Sequence, residues 1–324
     1  MIPSPRTLST RRGRSDKLRH RVMYTENSRR DMLLFVRASI TNLLAVFPFY
    51  VRLGNRSGRG VVNERPEDAA GYFRRCIDDY CAELGVDRSY FRGKRVLEYG
   101  PGDRLGVALY LYAYGAESVH CVDQFPIYRP TPAVAATYRA VLDSLDGEAR
   151  DRAARAFVVP GDPASGLDPA AIEHRVTPHG LAGRSGAYDL VLSRSVLALV
   201  DRLDDTIADV AAALRPGGVS IHKVDLSSHG LDRDRPLDFL TWPSPLYRLM
   251  YSRKGRPNRL RADRYQHLAQ RCGLRIRKLS PTGRISDADA AFIRPHVAAP
   301  FRDIPADLLS WLGFWIILER GSAT

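Results

Sequence analysis

A glycine-rich loop directly after a short apolar segment is the first feature of this sequence that could do chemistry. Residues 96–103 read Val-Leu-Glu-Tyr-Gly-Pro-Gly-Asp, so the carboxylate of Glu98 precedes Gly100 and Gly102. Glycine lets the backbone approach a ligand at a distance that a Cβ atom would prevent. A carboxylate beside the loop repels a pyrophosphate but attracts an ammonium group. The loop therefore predicts a cationic ligand without phosphate.

The glycine spacing differs from the dinucleotide-binding pattern Gly-x-Gly-x-x-Gly. Leu105 stands where the third glycine of that pattern belongs, and Gly106 comes one residue late. In the dinucleotide-binding fold, the third glycine permits close packing of the first helix on its strand. Together with the carboxylate before the loop, this departure disfavours a nicotinamide-dependent dehydrogenase.

Two more acidic residues follow apolar segments farther along the chain. Asp123 lies about 20 residues after the glycines, where an acidic side chain can take the ribose hydroxyls of an adenosine group. Asp162 follows residues 156–159, which we interpret as the third strand, and could accept from the adenine amino group. Each acid alone is equally typical of an ordinary turn. With Glu98, in this order and at predicted strand ends, the acids favour an adenosine-containing ligand.

Two histidines are the candidate general bases. His222 lies within an apolar segment that alternates as a strand, which puts it on the same face as Val224. A histidine inside a strand is more often a core residue than a base. His229 lies beyond the end of that segment, where ligands bind, and is the better candidate. A base is needed only if the nucleophile is a hydroxyl group.

The elements that must position these residues alternate between strands and helices. Apolar periodicity predicts strands over residues 95–99, 118–122, 156–159, 188–193, 219–223, 274–279 and 314–319. Helical spacing and capping signals predict helices over residues 67–84, 106–114, 133–145, 147–154, 203–214 and 261–272. This alternation is typical of a doubly wound α/β fold with a mostly parallel sheet.

Five pieces of the chain, in this order, resemble the class I methyltransferase family. They are residues 96–103, 119–123, 161–162, 188–193 and 214–218. The resemblance covers residues 94–225, and residues 314–319 resemble the last, antiparallel strand of that family. It implies a seven-stranded, mostly parallel sheet, S-adenosylmethionine as the cofactor, and a methyltransferase activity.

The resemblance also implies roles for individual residues. Glu98, Gly100 and Gly102 would line the methionine end of the cofactor. Asp123 would bind the ribose, and Asp162 would hold the adenine. Ser193 and Arg194 would lie at the floor of the site.

The sequence departs from the family after the fourth strand. Many members that act on small molecules read Ser-x-Leu-Glu-His there, but residues 195–199 read Ser-Val-Leu-Ala-Leu. The Asn-Pro-Pro-Tyr motif used on exocyclic amines and the Pro-Cys used on cytosine carbon are both absent from the sequence. No acidic cluster follows the fourth strand, so we expect no metal-dependent catechol enzyme and no metal.

The net charge of +13 is concentrated near the N-terminus. Residues 1–30 hold nine basic and two acidic residues, a net charge of +7, and we interpret residues 1–31 as a basic flexible arm. Such an arm suits nucleic acid or an anionic membrane. However, 44 of the 49 basic residues are arginine, and an arginine-rich composition that reflects a GC-rich genome is the favoured explanation.

An apolar helix is predicted over residues 32–52, within an N-terminal helical region of residues 32–85. Its longest apolar run, residues 43–50, is too short to span a bilayer. We expect it to pack on the domain or on a second subunit of a homodimer. Peripheral membrane contact through residues 32–53 is the alternative.

Residues 86–324 are predicted to form the methyltransferase domain, with residues 232–260 as a lid-like insertion. The insertion places aromatic residues beside a basic cluster at residues 253–259. These side chains could cap a flat or acidic substrate, stack on nucleic-acid bases, or form a packed lid with a solvated edge.

The four cysteines form no Cys-x-x-Cys pair and no zinc-type cluster, which favours reduced thiols in a cytoplasmic protein.

From the motifs and the resemblance we expect a methyltransferase for a small molecule, with oxygen as the favoured acceptor atom. An RNA or nucleic-acid methyltransferase and a catalytically silent binding protein remain the alternatives.

Overall fold

The computed structural model describes residues 29–44, 64–252 and 256–322. Its chain divides into two compact units. The helical unit comprises Met1–Val51 and Pro243–Lys254, and the sheet unit comprises Arg52–Trp242 and Gly255–Thr324. Residues 1–28 of the predicted arm, residues 45–52 of the predicted apolar helix and residues 253–255 of the basic cluster lie outside the described residues. The predicted domain boundaries stay predictions.

A seven-stranded sheet forms the centre of the sheet unit. Its strands are β1 (Arg95–Tyr99), β2 (Ser118–Asp123), β3 (Ile172–Val176), β4 (Tyr188–Arg194), β5 (Leu214–Asp225), β6 (Leu274–Arg284) and β7 (Trp311–Arg320). Their spatial order is β3-β2-β1-β4-β5-β7-β6. The strands β1 to β5 pair in parallel, whereas β7 is antiparallel to both of its neighbours. The predicted mostly parallel sheet with an antiparallel last strand is confirmed.

Helices connect the strands. They are α1 (residues 29–44), α2 (Pro66–Leu84), α3 (Gly106–Ala113), α4 (Pro132–Asp143), α5 (Gly147–Ala154), α6 (Leu203–Ala213), α7 (Ser244–Tyr251), α8 (Ala262–Arg271), α9 (Asp287–Ile293) and α10 (Ala306–Leu309). The sequence signals for α2 were specific: Pro66 stands at its start and Gly85 adopts the left-handed conformation at its end. None of the described helices is long and apolar enough to cross a membrane.

The two faces of the sheet belong to different hydrophobic clusters. One cluster contains Val96 of β1 with residues of α2 to α5, and the other contains Leu97 with residues of α6 and α8. Because side chains alternate along a strand, neighbouring residues of β1, β4 and β5 enter opposite clusters. This alternation determines which of the predicted site residues share a face.

The third strand is not where the apolar pattern predicted it. Residues 156–159 do not form a sheet strand, since Phe157 makes only an isolated bridge to Leu167. The strand lies instead at Ile172–Val176 and pairs in parallel with β2. At this edge of the sheet only Ile172 is buried, so the segment carries polar side chains and no apolar run. The buried residues of 156–159 fill the core beside the sheet without joining it.

Candidate functional site

The loop after β1 lies where the order of the strands reverses, between β1 and β4. In doubly wound sheets, ligands bind in the crevice at the carboxyl ends of the strands at this point. Gly100 and Gly102 both adopt a positive φ, at 63° and 79°. The amide of Gly100 donates to the carbonyl of Val122 over 2.8 Å, which joins the ends of β1 and β2.

The three glycines of this loop differ in what a Cβ atom at each position would contact. A Cβ atom on Gly100 would lie 2.3 Å from Cγ2 of Val196, so this close approach is to the protein's own side chain. A Cβ atom on Gly106 would lie 2.0 Å from the ring of Phe73, so the late glycine allows α3 to pack on α2. A Cβ atom on Gly102 would meet nothing within 4 Å. Gly102 is therefore the glycine that leaves backbone open to a ligand.

Glu98 is a buried carboxyl group with little to stabilise its charge. It is 5% exposed and lies on the face of the sheet that α2 to α5 cover. Burial raises its pKa to about 8, and the thiol of Cys121, 3.8 Å from Oε2, offsets this only in part. The carboxyl group is therefore largely protonated at neutral pH. A cationic ligand placed beside it would favour the ionised form.

Asp123 ends β2 beside the glycine loop and is 8% exposed. Its Oδ1 atom accepts from the amide of Phe125 over 3.0 Å, which is the geometry of a turn acid. Its carbonyl accepts from the amide of Thr177 over 3.0 Å, which holds the loop after β3 against the loop after β2. Asp123 thus combines a turn role with a position at the carboxyl edge of the sheet.

Asp162 does not directly follow a strand of the sheet. It precedes β3, it is exposed, and its Oδ1 atom accepts from the amide of Ala164 over 3.0 Å at the start of a short 3-10 turn. The adenine role predicted for Asp162 assumed a strand at residues 156–159, and that assumption was wrong. The residues that follow β3 are Thr177 to Gly180, whose Thr-Pro-His-Gly composition is a turn signal that the sequence interpretation missed.

Ser193 and His222 form a buried pair within the sheet. Ser193 Oγ and His222 Nδ1 are 2.8 Å apart, and both residues are fully buried. Ser193 lies two residues after Val191 in β4, and His222 lies two residues before Val224 in β5. Because side chains alternate along a strand, both face the cluster of α6 and α8, on the side of the sheet opposite to Glu98. Burial lowers the pKa of His222 to about 3, so the ring stays neutral and is a poor proton acceptor. We therefore interpret His222 as a core residue rather than as a base.

Arg194 follows Ser193 in β4 and so faces the same side as Glu98. Its Nη2 atom donates to Asp79 Oδ2 of α2 over 2.7 Å, and Lys223 Nζ lies 3.8 Å from the same oxygen. The guanidinium group stacks over the rings of Tyr72 and Trp315 at 5.9 and 5.8 Å. The sequence interpretation missed Tyr72 and Asp79. Their seven-residue spacing, which puts both on one helix face, was the available signal.

His229 lies four residues beyond the end of β5 and has a positive φ of 50°. Its Nε2 atom is 3.7 Å from Asp225 Oδ2. The other oxygen of Asp225 accepts from the amide of Ser227 over 2.9 Å, so a backbone turn fixes the carboxylate. A histidine with an oriented carboxylate beside it is the arrangement that general-base catalysis uses.

Asn258 of the predicted insertion forms hydrogen bonds with the loop after β4. Its amide donates to Ala198 O over 2.7 Å, and its side chain donates to Leu197 O and Val200 O over 2.9 and 3.1 Å. Ala198 is buried and Leu199 is half-buried, so apolar side chains fill the positions of the absent Glu-His pair. The sequence did not single out Asn258, because its partners lie about 60 residues away and only the fold brings them together.

A family model described as a methyltransferase domain matches residues 71–279. The chain belongs to this methyltransferase family. The match runs from α2 to β6 and includes the glycine loop, Asp123 and His229. No curated protein sequence matches the chain.

Solved structures of methyltransferases are similar to this chain at low identity. An S-adenosylmethionine dependent methyltransferase from Mesorhizobium loti is 16% identical, with a TM-score of 0.40, over 71% of this chain and 92% of that chain. A SAM-dependent methyltransferase from Methanosarcina mazei is 14% identical, with a TM-score of 0.39, over 72% of this chain and 94% of that chain. Neither similarity carries an argument about the substrate.

S-adenosylmethionine is the cofactor of this methyltransferase, and it supplies an activated methyl group. The residues of the crevice fit it. The open backbone at Gly102 leaves room for a ligand, and the buried carboxyl group of Glu98 suits an ammonium group. Asp123 lies at the carboxyl end of β2, where the ribose role was predicted. The individual roles of these residues stay predictions.

The role of Asp123 can be tested against a matched control. Asp123 and Asp162 each accept from the amide two residues later over 3.0 Å, so alanine removes the same turn bond from both. We expect Asp123→Ala to weaken binding of S-adenosylhomocysteine by about 1.5–3 kcal/mol, because hydrogen bonds to charged groups are the stronger kind. Asp162→Ala should bind normally. Titration calorimetry measures both, and equal affinities would make Asp123 a turn residue only.

Proposed function

We propose that this methyltransferase acts on a small molecule, with a hydroxyl oxygen as the acceptor atom. The observation that carries the proposal is the pair of His229 and Asp225 just beyond β5. A hydroxyl group must lose its proton as it attacks a methyl group, and a nearby imidazole accepts that proton. Amines and ionised oxygens need no such base.

The role that we propose for each residue is inferred from its position at the carboxyl edge of the sheet. Glu98 and Gly102 hold the amino-acid end of the cofactor, and Asp123 holds its ribose. His229 takes the proton of the acceptor hydroxyl at Nδ1, because Nε2 faces Asp225. The carboxylate of Asp225 stabilises the imidazolium that forms. The protein's further contribution is to align the reactants at about 3 Å in a site without water.

Two alternatives each have an observation in their favour. The +7 charge of residues 1–30 favours a nucleic-acid acceptor, since basic arms bind phosphates. Ala198 and Leu199, in place of the polar Glu-His pair, favour a silent protein that binds the cofactor or a partner without catalysis.

Thermal unfolding with three ligands distinguishes these functions. S-adenosylhomocysteine at 100 times its Kd should stabilise the protein by about 2.7 kcal/mol and raise its Tm. NAD and single-stranded RNA should leave the Tm unchanged. Saturable stabilisation by RNA would favour the nucleic-acid alternative. No shift with millimolar S-adenosylhomocysteine would contradict cofactor binding and leave only a silent protein that binds a partner.

A further inference from the structure

The helical unit exposes an unusual amount of apolar surface. Twelve large apolar side chains are strongly exposed among the described residues, and eight of them belong to α1 and α7. These eight, which we call the apolar stripe, are Met32, Leu33, Val36, Ile40, Leu43, Leu44, Leu246 and Leu249. Scattered exposed apolar residues are normal, but a set that recurs along one helix marks an interaction surface.

Asn42 joins α1 to α7 on the buried side of α1, so the apolar face of α1 stays exposed. Asn42 is 5% exposed, and its side chain donates to Leu249 O over 3.0 Å and to Ser252 Oγ over 3.1 Å. On α1, Leu33, Val36, Ile40 and Leu43 recur at helical spacing and so share a face. On α7, Leu246 and Leu249 are the exposed apolar side chains.

The charge beside the stripe is basic. Arg37 is exposed within the stripe of α1, and Arg248 is exposed next to Leu249 on α7. The described residues of the helical unit contain a single acid, Asp31, and residues 243–252 contain none. Residues 1–30, which include the first two residues of α1, carry a net charge of +7. An apolar face flanked by arginines, with almost no acids, is complementary to an anionic bilayer surface.

We propose that α1 and α7 dock this protein on an anionic membrane surface. The apolar stripe enters the boundary between headgroups and acyl chains, and Arg37 and Arg248 reach the phosphates. The helices lie along the interface and do not span it. This proposal concerns binding alone and does not depend on the methyl acceptor.

Vesicle flotation of the full chain tests the proposal. We expect the protein to float with vesicles of equal parts phosphatidylcholine and phosphatidylglycerol at low salt. Binding to pure phosphatidylcholine, or to the mixed vesicles in 1 M NaCl, should be at least about tenfold weaker, because charge attraction is screened.

Variants locate the surface. Leu33→Ser with Leu43→Ser changes side chains that are 72% and 64% exposed, and should weaken vesicle binding at least about tenfold. The control is Val158→Ser with Val159→Ser, two apolar side chains of the sheet unit that are 59% and 54% exposed. The control should float like the wild type. Circular dichroism and the Tm should be unchanged in both.

Four results would overturn the proposal or a part of it. One is failure of the wild type to float with either vesicle. Another is equal flotation of the wild type and the Leu33→Ser, Leu43→Ser variant, which would place any lipid binding elsewhere. The third is a wild type that sediments as a dimer and binds no vesicles, together with a variant that sediments as a monomer. That result would show that a second copy of the chain covers the apolar stripe. Equal binding to neutral and anionic vesicles would overturn the selectivity for anionic lipid.

Discussion

Replacement of Glu98 by glutamine should remove a fall in stability that the wild type shows as the pH rises. The pKa of Glu98 is raised from 4.5 to about 8 in the folded protein by burial. An acid with a raised folded pKa contributes stability that is fully present below the unfolded value. That contribution is lost as the pH rises through the folded pKa.

The window for this effect therefore runs from about pH 4.5 to about pH 8. With about 1.4 kcal/mol for each unit, the free energy of unfolding of the ligand-free wild type should fall by up to roughly 4 kcal/mol across it. Glu98→Gln should lack this fall and be the more stable protein at pH 8. Denaturant titrations between pH 5 and pH 8 measure both proteins.

An exposed glutamate provides the control for Glu98. Glu117 is 60% exposed in its side chain and lies 3.7 Å from Arg95, so Glu117→Gln should keep the wild-type pH dependence. An unchanged pH dependence in Glu98→Gln would show that the Glu98 carboxyl group ionises normally in the folded protein.

The same substitution tests how the protein holds its cofactor. Below pH 8 the Glu98 carboxyl group must release its proton to face an ammonium group as a carboxylate. Affinity for S-adenosylhomocysteine should therefore rise between pH 6 and pH 7.5 in the wild type and stay nearly flat in Glu98→Gln. A stability effect without this affinity effect would make Glu98 a buried acid with no ligand role.

Replacement of His229 by alanine should lower turnover by about 100-fold or more and barely change the affinity for S-adenosylhomocysteine. The residue lies beyond β5, beside Asp225, and is proposed to act only on the acceptor hydroxyl. His229→Asn is the better-matched variant, because asparagine tolerates the positive φ of 50° at this position. Both variants should lose turnover alike if the imidazole is the base.

The assay of His229 needs a substrate, which metabolite profiling of a deletion strain can supply. Normal turnover with weakened cofactor binding would move His229 to the cofactor side of the site. Turnover and binding that both match the wild type would favour an amine or an ionised oxygen as the acceptor. Asp225→Asn should show a smaller loss of turnover than His229→Ala, since Asp225 acts through the histidine.

The elements with strong local signals were predictable. β1, β2 and β4 are apolar segments followed by turn residues, and their sequence-predicted bounds agree with the structure within two residues. The ends of α2 were marked by Pro66 and Gly85. β3 was missed because Ile172–Val176 is an edge strand with one buried residue, so neither an apolar run nor a clean alternation marks it. Its pairing with β2 is a property of the tertiary structure.

The site shows the same division. Glu98, Gly100, Gly102 and Asp123 are close in sequence to strand ends, so the sequence by itself determined that they meet at one edge of a parallel sheet. Five motif pieces of the sequence resemble the class I methyltransferase family, and the match to a methyltransferase domain confirmed the family.

Only the tertiary structure decided what surrounds those residues. Side chains alternate along β4, so Ser193 lies in one core beside His222. Arg194 lies on the other face of the sheet and binds Asp79, which is 115 residues away in the sequence. Burial raises the pKa of Glu98 to about 8 and lowers that of His222 to about 3. Burial and long-range partners depend on how the whole chain packs, and a local pattern of residues does not contain that information.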